Sequence, residues 1–184
     1  MSLIKSTKEI LKIFNDYKFS IFIFLLYEII YFLKGYKSFR FTFSTDKSMT
    51  NSIPCPFYFL HLIKKNIDLA KYDLFVDFGS GYGRVIDYFY RNFSFKKILG
   101  IEYSKKPFNY CIKKFEKYLS VEFNNIDFNT FDLQKYYFEN QSNGVCIFFS
   151  APFAKTEDLI NFVNKIGLFN IKNLKIIIVN YKYS

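Results

Sequence analysis

Five short apolar runs separated by helix-like segments constrain this chain more than any other feature. They are 74–79 (LFVDFG), 97–103 (KILGIEY), 121–126, 144–150 (GVCIFFS) and 174–181 (LKIIIVNY). Helical patterns fall at 57–70 and, between the runs, near 82–92, 105–119 and 155–167. Strands apolar on both faces, alternating with helices, imply a parallel sheet covered on both sides. Right-handed crossovers then predict an open, doubly wound α/β fold. With 184 residues the chain has material for one core and not two. No internal repeat or low-complexity tract competes with this reading.

Composition narrows the function classes. Basic residues outnumber acidic ones, 26 to 16, but arginine supplies only Arg40, Arg84 and Arg91. Recognition of bases and phosphates favours the planar guanidinium fork, so a diffuse lysine excess reads as solubility or attraction to an anionic surface. Nucleic acid is therefore an unfavoured partner, and an RNA-binding reading rests on net charge alone. Cys55, Cys111 and Cys146 lie far apart and His61 is the only histidine, which rules against a zinc site; no metal is expected. Sparse, odd-numbered cysteines fit a reducing, cytoplasmic location better than a disulfide framework. His61 sits in the apolar helical pattern Phe57, Phe59, Leu60, Leu62, Ile63 and reads as a helix-surface or partly buried side chain rather than a catalytic one.

Residues 1–44 read as an N-terminal helical region. Between Lys18 and Lys34 runs FSIFIFLLYEIIYFL, residues 19–33, broken only by Ser20 and Glu28. Its length falls between a buried helix and a membrane span. Lys5, Lys8, Lys12, Lys18, Lys34, Lys37 and Arg40 flank it, as expected of a helix attached to the cytoplasmic face of an anionic membrane. The same pattern fits a helix packed on the domain with Glu28 at an exposed edge, and the two arrangements weigh equally. Ser44 to Pro56 is loop-like, so a second region, 45–184, is expected to hold the α/β domain.

The most specific signal is Val76-Asp77-Phe78-Gly79-Ser80-Gly81-Tyr82-Gly83-Arg84, at the end of the first strand and entering a helix. Ligands of doubly wound sheets bind at the carboxyl ends of the strands, where close backbone approach leaves no room for a Cβ. A dinucleotide fingerprint, GxGxxG, would need glycine at 84, where Arg84 stands; the spacing here is GxGxG. A P-loop is excluded because no Lys-Ser/Thr pair follows.

An acidic residue, one spacer and GxGxG resembles motif I of the class I S-adenosylmethionine-dependent methyltransferases, most securely over residues 74–128. The resemblance implies a mostly parallel five-stranded sheet of order 3-2-1-4-5 and S-adenosylmethionine as cofactor. It implies that Asp77 holds the cofactor's amino group, directly or through water, and that the turn Gly79, Ser80, Gly81 and Gly83 lies against it. Glu102, at the end of the second strand and 19 residues after Gly83, would grip the ribose hydroxyls. Tyr103 would pack on the adenine face, and Asp127, after the third strand, would meet the adenine amino group.

In this family acceptor chemistry sits after the fourth strand, here Ser150-Ala151-Pro152-Phe153. Amine-modifying members place Asn or Asp, then Pro, then an aromatic residue there; this chain keeps Pro152 and Phe153 but has Ala151 at the Asn position. Ser150 substitutes if the turn shifts by one residue, so Ser150, Pro152 and Phe153 are the candidate catalytic residues. An ordinary strand end leading to a helix carries equal weight. Methyl transfer from a sulfonium mainly needs in-line alignment and an unprotonated nucleophile, so the lack of a catalytic histidine is no objection. The expected activity is methyl transfer to a nitrogen nucleophile, a protein lysine or small amine. The rival is a non-catalytic binding or membrane-scaffold protein of the same fold. The family's usual antiparallel strand pair after strand five is missing. The apolar strand-five edge would then be covered by a homodimer or by the N-terminal helices, or would mark a shortened protein.

Overall fold

The computed structural model describes residues 20–36, 54–127, 130–150, 156–167 and 171–179. Strands β1 (Leu74–Phe78), β2 (Lys97–Ile101), β3 (Val121–Asn124), β4 (Val145–Ser150) and β5 (Leu174–Val179) form one sheet of order β3-β2-β1-β4-β5. Every pairing is parallel; Asp77 of β1 lies level with Gly100 of β2 and with Phe148 of β4. Parallel strands need crossovers, which α3 (Arg84–Asn92), α4 (Lys105–Phe115), α5 (Leu133–Glu139) and α6 (Thr156–Gly167) provide. Before β1 lie α1 (Ser20–Leu33) and α2 (Phe57–Asn66). The sheet order and doubly wound architecture are those expected.

The period-two alternation of the strands sorts the core into two layers. Phe75, Ile98, Cys146, Phe148 and Ile177 pack on one face with Val85, Ile86, Tyr88 and Phe89 of α3 and Cys111 and Phe115 of α4. Leu74, Val76, Phe78, Leu99, Ile147 and Phe149 pack on the other with Leu133 and Tyr137 of α5 and Phe162 of α6. Aromatic stacking fills both: Phe75 lies 4.1 Å from Phe89, centroid to centroid, and Phe78 lies 5.2 Å from Phe149.

Several segments differ from the sequence reading. Helix α5 was not expected; its seven residues are started by Asp132, whose side chain accepts from the Lys135 N–H. Helix α2 stops at Asn66 rather than 70: Asn66 turns its amide back to the Leu62 carbonyl, and Asp68 captures the Ala70 N–H in a competing turn. Helix α4 stops at Phe115, with Tyr118 N–H bonded to the Phe115 carbonyl. Strand β2 ends at Ile101, before the local turn in which Glu102 Oε1 takes the Ser104 N–H and the chain enters α4.

Helix α1 packs on the domain. Tyr31 and, just past the helix, Tyr36 are buried in the first core layer, with the Tyr31 ring stacked 4.7 Å from Phe57. Gly35, at φ 83°, ends the helix in the left-handed conformation, and Tyr36 N–H closes back on the Tyr31 carbonyl. Among the described residues no helix is long and apolar enough to cross a membrane. Glu28 is not at an exposed edge: it accepts from Phe57 N–H at 3.1 Å and pairs with Arg84 at 2.8 Å. An isolated carboxylate in an apolar run needs partners when the run is packed, and these supply them.

Candidate functional site

The site forms where β1 and β2 end. Asp77 falls on the α3/α4 face of β1, in phase with Phe75, and is only 2% exposed. Beyond Phe78 the chain reverses through Gly79, Gly81 and Gly83, whose φ values are 80°, 51° and 72°. Gly79 N–H and Ser80 N–H both donate to the Ile101 carbonyl, at 2.9 and 3.0 Å, so the turn is stitched to the end of β2. Gly83 is required twice over. Its φ is left-handed, and a Cβ there would stand 2.7 Å from the Phe115 ring and 3.1 Å from Cys111 Sγ. The Cys111 thiol, pushed up to about 12 by burial, donates to the Gly81 carbonyl at 3.3 Å and acts as an inert brace.

Glu102, expected from the sequence to end the second strand and grip ribose hydroxyls, stands one residue past β2 and is brought to this turn. Its Oε2 accepts from Gly81 N–H at 2.8 Å and its Oε1 from Ser104 N–H at 2.7 Å. Each carboxylate oxygen keeps a further lone pair. Tyr103, the next residue, is 56% exposed and its ring is available to a ligand face. Asp127 is half-buried beyond β3, and its carbonyl accepts from Thr130 N–H and Oγ1. Asn125, which sequence reading passed over, donates through Nδ2 to both the Glu102 and Tyr103 carbonyls at 2.8 Å. It ties the third strand's end to the Glu102 loop. Only its position beside the expected Asp127 could have pointed to it.

Three buried polar atoms at the carboxyl ends of β1 and β4 have no hydrogen-bond partner among the described residues: Asp77 Oδ2, Ser80 Oγ and Ser150 Oγ. Buried polar atoms are rarely left so. Asp77 is the costliest, because burial first and the charge of Glu102 second hold its carboxyl well above the usual carboxylate range. Ser80 Oγ lies over Gly100, where a Cβ would come within 2.9 Å of it. Above Gly79, by contrast, a Cβ would meet nothing within 4 Å, so the turn has an open side. A buried carboxyl with an unpartnered oxygen beside a glycine turn open above Gly79 can exchange a hydrogen bond with an ammonium group. The residues present therefore fit the amino-acid end of S-adenosylmethionine, and the free lone pairs of Glu102 fit a diol.

On the acceptor side, Ser150 closes β4 with its hydroxyl buried and unpartnered, next to the carboxyl end of β1. Pro152 and Phe153 lie outside the described residues. Among the described residues no cluster of His, Cys, Asp or Glu could hold a metal ion. His61 is half-buried, its Nδ1 3.3 Å from the Tyr31 hydroxyl, and stands away from the turn on α2. Arg84, buried at the first position of α3, donates to Glu28 and to the Cys55 carbonyl and stacks 4.6 Å over the Phe57 ring. The turn's exit is thus pinned to α1, a link signalled in the sequence only by the solitary Glu28.

Residues 71–159 match the family described as a putative methyltransferase. No curated protein matches the chain. Among solved structures, the chain is similar to the plantazolicin methyltransferase BpumL in complex with SAH, at 17% identity over 58% of this chain and 38% of that one, TM-score 0.44. It is also similar to the YcgJ protein of Bacillus, at 13% identity over 58% and 44%, TM-score 0.46. An RNA methyltransferase from Salinibacter ruber in complex with S-adenosyl-L-homocysteine matches at 19% identity over 62% and 68%, TM-score 0.45. The chain spans well under half the length of the first two. The likeness to methyltransferases thus lies over residues 71–159, a little under half of the chain, the stretch that holds the glycine turn, Glu102 and β4.

Proposed function

We propose that the protein transfers a methyl group from S-adenosylmethionine to a nitrogen nucleophile, a protein lysine or a small amine. The observation that carries the cofactor reading is the buried Asp77 carboxyl with its unpartnered Oδ2, beside a glycine turn that is open above Gly79. S-adenosylmethionine, when bound, supplies an electrophilic methyl on a good neutral leaving group. Asp77 would hold its amino group, and Glu102 would take the ribose hydroxyls while remaining anchored to Gly81 and Ser104 N–H. The exposed Tyr103 ring would cover the adenine, with Asp127 near its amino group. The glycine turn lets the backbone approach without a Cβ in the way.

The chain's part in the transfer is alignment and desolvation rather than proton transfer. What supports a nitrogen acceptor is Ser150, whose buried hydroxyl oxygen can accept from an incoming N–H and orient its lone pair. Pro152 and Phe153 stand as in amine-modifying relatives of the fold, with Ala151 where those carry Asn or Asp. An aromatic side chain beside the nitrogen would favour a cationic product.

Calorimetric titration of the full chain with S-adenosylmethionine, S-adenosylhomocysteine and NAD tests the cofactor. The two adenosyl sulfur compounds are expected to bind and NAD not to, with binding lost in Asp77→Ala and Glu102→Ala proteins that remain folded. Wild-type affinity in either variant sinks the assignment. Binding without methyl transfer to any lysine peptide or small amine offered with labelled cofactor sinks the acceptor and favours a non-catalytic binding protein.

A further inference from the structure

The side of α1 turned away from the domain is apolar from Phe22 to Leu33. Phe22, Leu25, Leu26, Ile29, Phe32 and Leu33 are all half or more exposed, Phe22 and Leu33 about four-fifths. At 3.6 residues per turn these six fall within an arc of about 120°. The opposite side holds Phe24 against Tyr58 and Phe59, Tyr27 against Tyr58 and His61, and Tyr31 against Phe57 and Tyr88. The helix cannot roll to hide the exposed stripe, because Glu28 is fixed to Arg84 and to Phe57 N–H. None of the six side chains carries a donor, an acceptor or a charge.

We infer that this stripe is a docking surface for an anionic lipid layer, with α1 lying in the plane of the interface. Three observations choose lipid over a protein partner or a second copy. Protein interfaces carry about one hydrogen bond per 100–200 Å², whereas this face has no polar side-chain atom to offer and matches hydrocarbon. Cations flank it in the sequence: Lys34, whose Nζ lies 5.0 Å over the Tyr31 ring, then Lys37 and Arg40 after the helix, and Lys5, Lys8, Lys12 and Lys18 before it. The acidic residues of the same stretch are Glu9, Asp16 and Glu28, and Glu28 is occupied by Arg84. Finally, the 14 residues of α1 span about 21 Å, too short for a hydrocarbon core of about 30 Å but long enough to lie on its surface.

The docking would also orient the site. Glu28 meets Arg84, Tyr31 meets Tyr88 and the Tyr36 hydroxyl accepts from Asn92, so α1 runs alongside α3 in the same direction. Helix α3 starts at the carboxyl end of β1. The first turn of α1, with Phe22, therefore lies toward the end of the sheet where the glycine turn opens.

Flotation of the full chain with vesicles tests the inference. Vesicles containing about a third phosphatidylserine are expected to carry the protein up the gradient, pure phosphatidylcholine far less, and high salt is expected to weaken the binding severalfold. A Leu26→Asp/Ile29→Asp protein, changed only at exposed positions, is expected to lose at least about a hundredfold in partitioning while melting at the wild-type temperature. Lys34→Glu/Lys37→Glu is expected to weaken binding to anionic vesicles only. Failure of the folded wild type to float with any vesicle overturns the inference, as does unchanged binding of the double Asp variant. A wild-type dimer that the double Asp variant makes monomeric, with no vesicle binding, assigns the face to a second copy instead. A clearly lowered melting temperature in that variant shows the face to be covered by this chain itself. None of these outcomes depends on the cofactor assignment.

Discussion

Replacing Asp77 by Asn separates stability from binding in this fold. Asp77 is 2% exposed, its Oδ2 has no partner and Glu102 lies close enough to raise its pKa further. Between the ordinary carboxylate value of 3.8 and its raised folded value, the folded protein keeps a proton that the unfolded chain has released. The unfolded state binds fewer protons in that window, so stability falls as pH rises through it and stays lost above. Asn occupies nearly the same volume and carries no charge. The variant removes a buried, unpartnered carboxyl that the fold holds in its protonated form at a cost in stability, a change worth about 2 kcal/mol at neutral pH. For a chain of this size that is a rise of about 4–8 °C in melting temperature. Cofactor affinity should move the other way. Loss of a charge-assisted bond to the cofactor's amino group is expected to weaken binding about ten- to a hundredfold. Because a bound cation favours the charged form of Asp77, wild-type binding is expected to release a proton. The measured enthalpy should then vary with the buffer's ionisation enthalpy, and this dependence should vanish in Asp77→Asn. Thermal melts of both proteins from acid to neutral pH, with titrations in two buffers, provide the readout. A variant less stable than wild type at neutral pH, or one binding the cofactor as tightly, refutes the reasoning.

Two further substitutions probe the frame around the site. Gly100→Ala would place a Cβ 2.5 Å from the buried Phe123 ring and 2.9 Å from Ser80 Oγ; overpacking of this kind is expected to cost about 1–3 kcal/mol, read as a lower denaturant midpoint. Glu28→Gln keeps an acceptor for Phe57 N–H but removes the carboxylate that balances the buried Arg84 guanidinium, and about 3 kcal/mol of destabilisation is expected by the same measurement. The Glu28→Gln/Arg84→Met double variant should recover much of that loss, since neither member then leaves a charge behind.

The parallel sheet was legible because buried parallel strands are written as apolar runs, and such runs are hard to mistake when Gly and helix-like segments separate them; its order came from the family resemblance. Asp77 and Glu102 were singled out by the same resemblance, and both stand at or near the end of an apolar strand, at the level where ligands of such sheets bind. Helix α5 was not legible. With seven residues, of which Leu133 and Tyr137 are buried, it is too short to establish a helical period, and its start depends on the Asp132 cap. Asn125 escaped because its two bonds go to backbone carbonyls that folding alone brings near. The expected strand ran two residues past the end of β2 because Glu102 and Tyr103 continue its pattern, while the Glu102 carboxylate captures the Ser104 N–H in a local turn.

Glu28 is the most instructive of these residues. As sequence it interrupts an apolar run and fits an exposed edge of a packed helix as well as a gap in a membrane-seeking one. The structure gives it a single task with two consequences. By holding Arg84 it fixes the exit of the glycine turn, and by holding the Phe57 N–H it fixes the start of α2. Both contacts stand on the same side of α1, so satisfying them forces the apolar residues of the other side outward. The ion pair that steadies the site thus sets the direction of the exposed stripe. Loss of Glu28 is accordingly expected to disturb cofactor binding and the presentation of that stripe together, whereas the double Asp variant on the stripe should leave cofactor affinity intact. That difference separates a helix that merely covers the core from one that joins the site to a surface outside it.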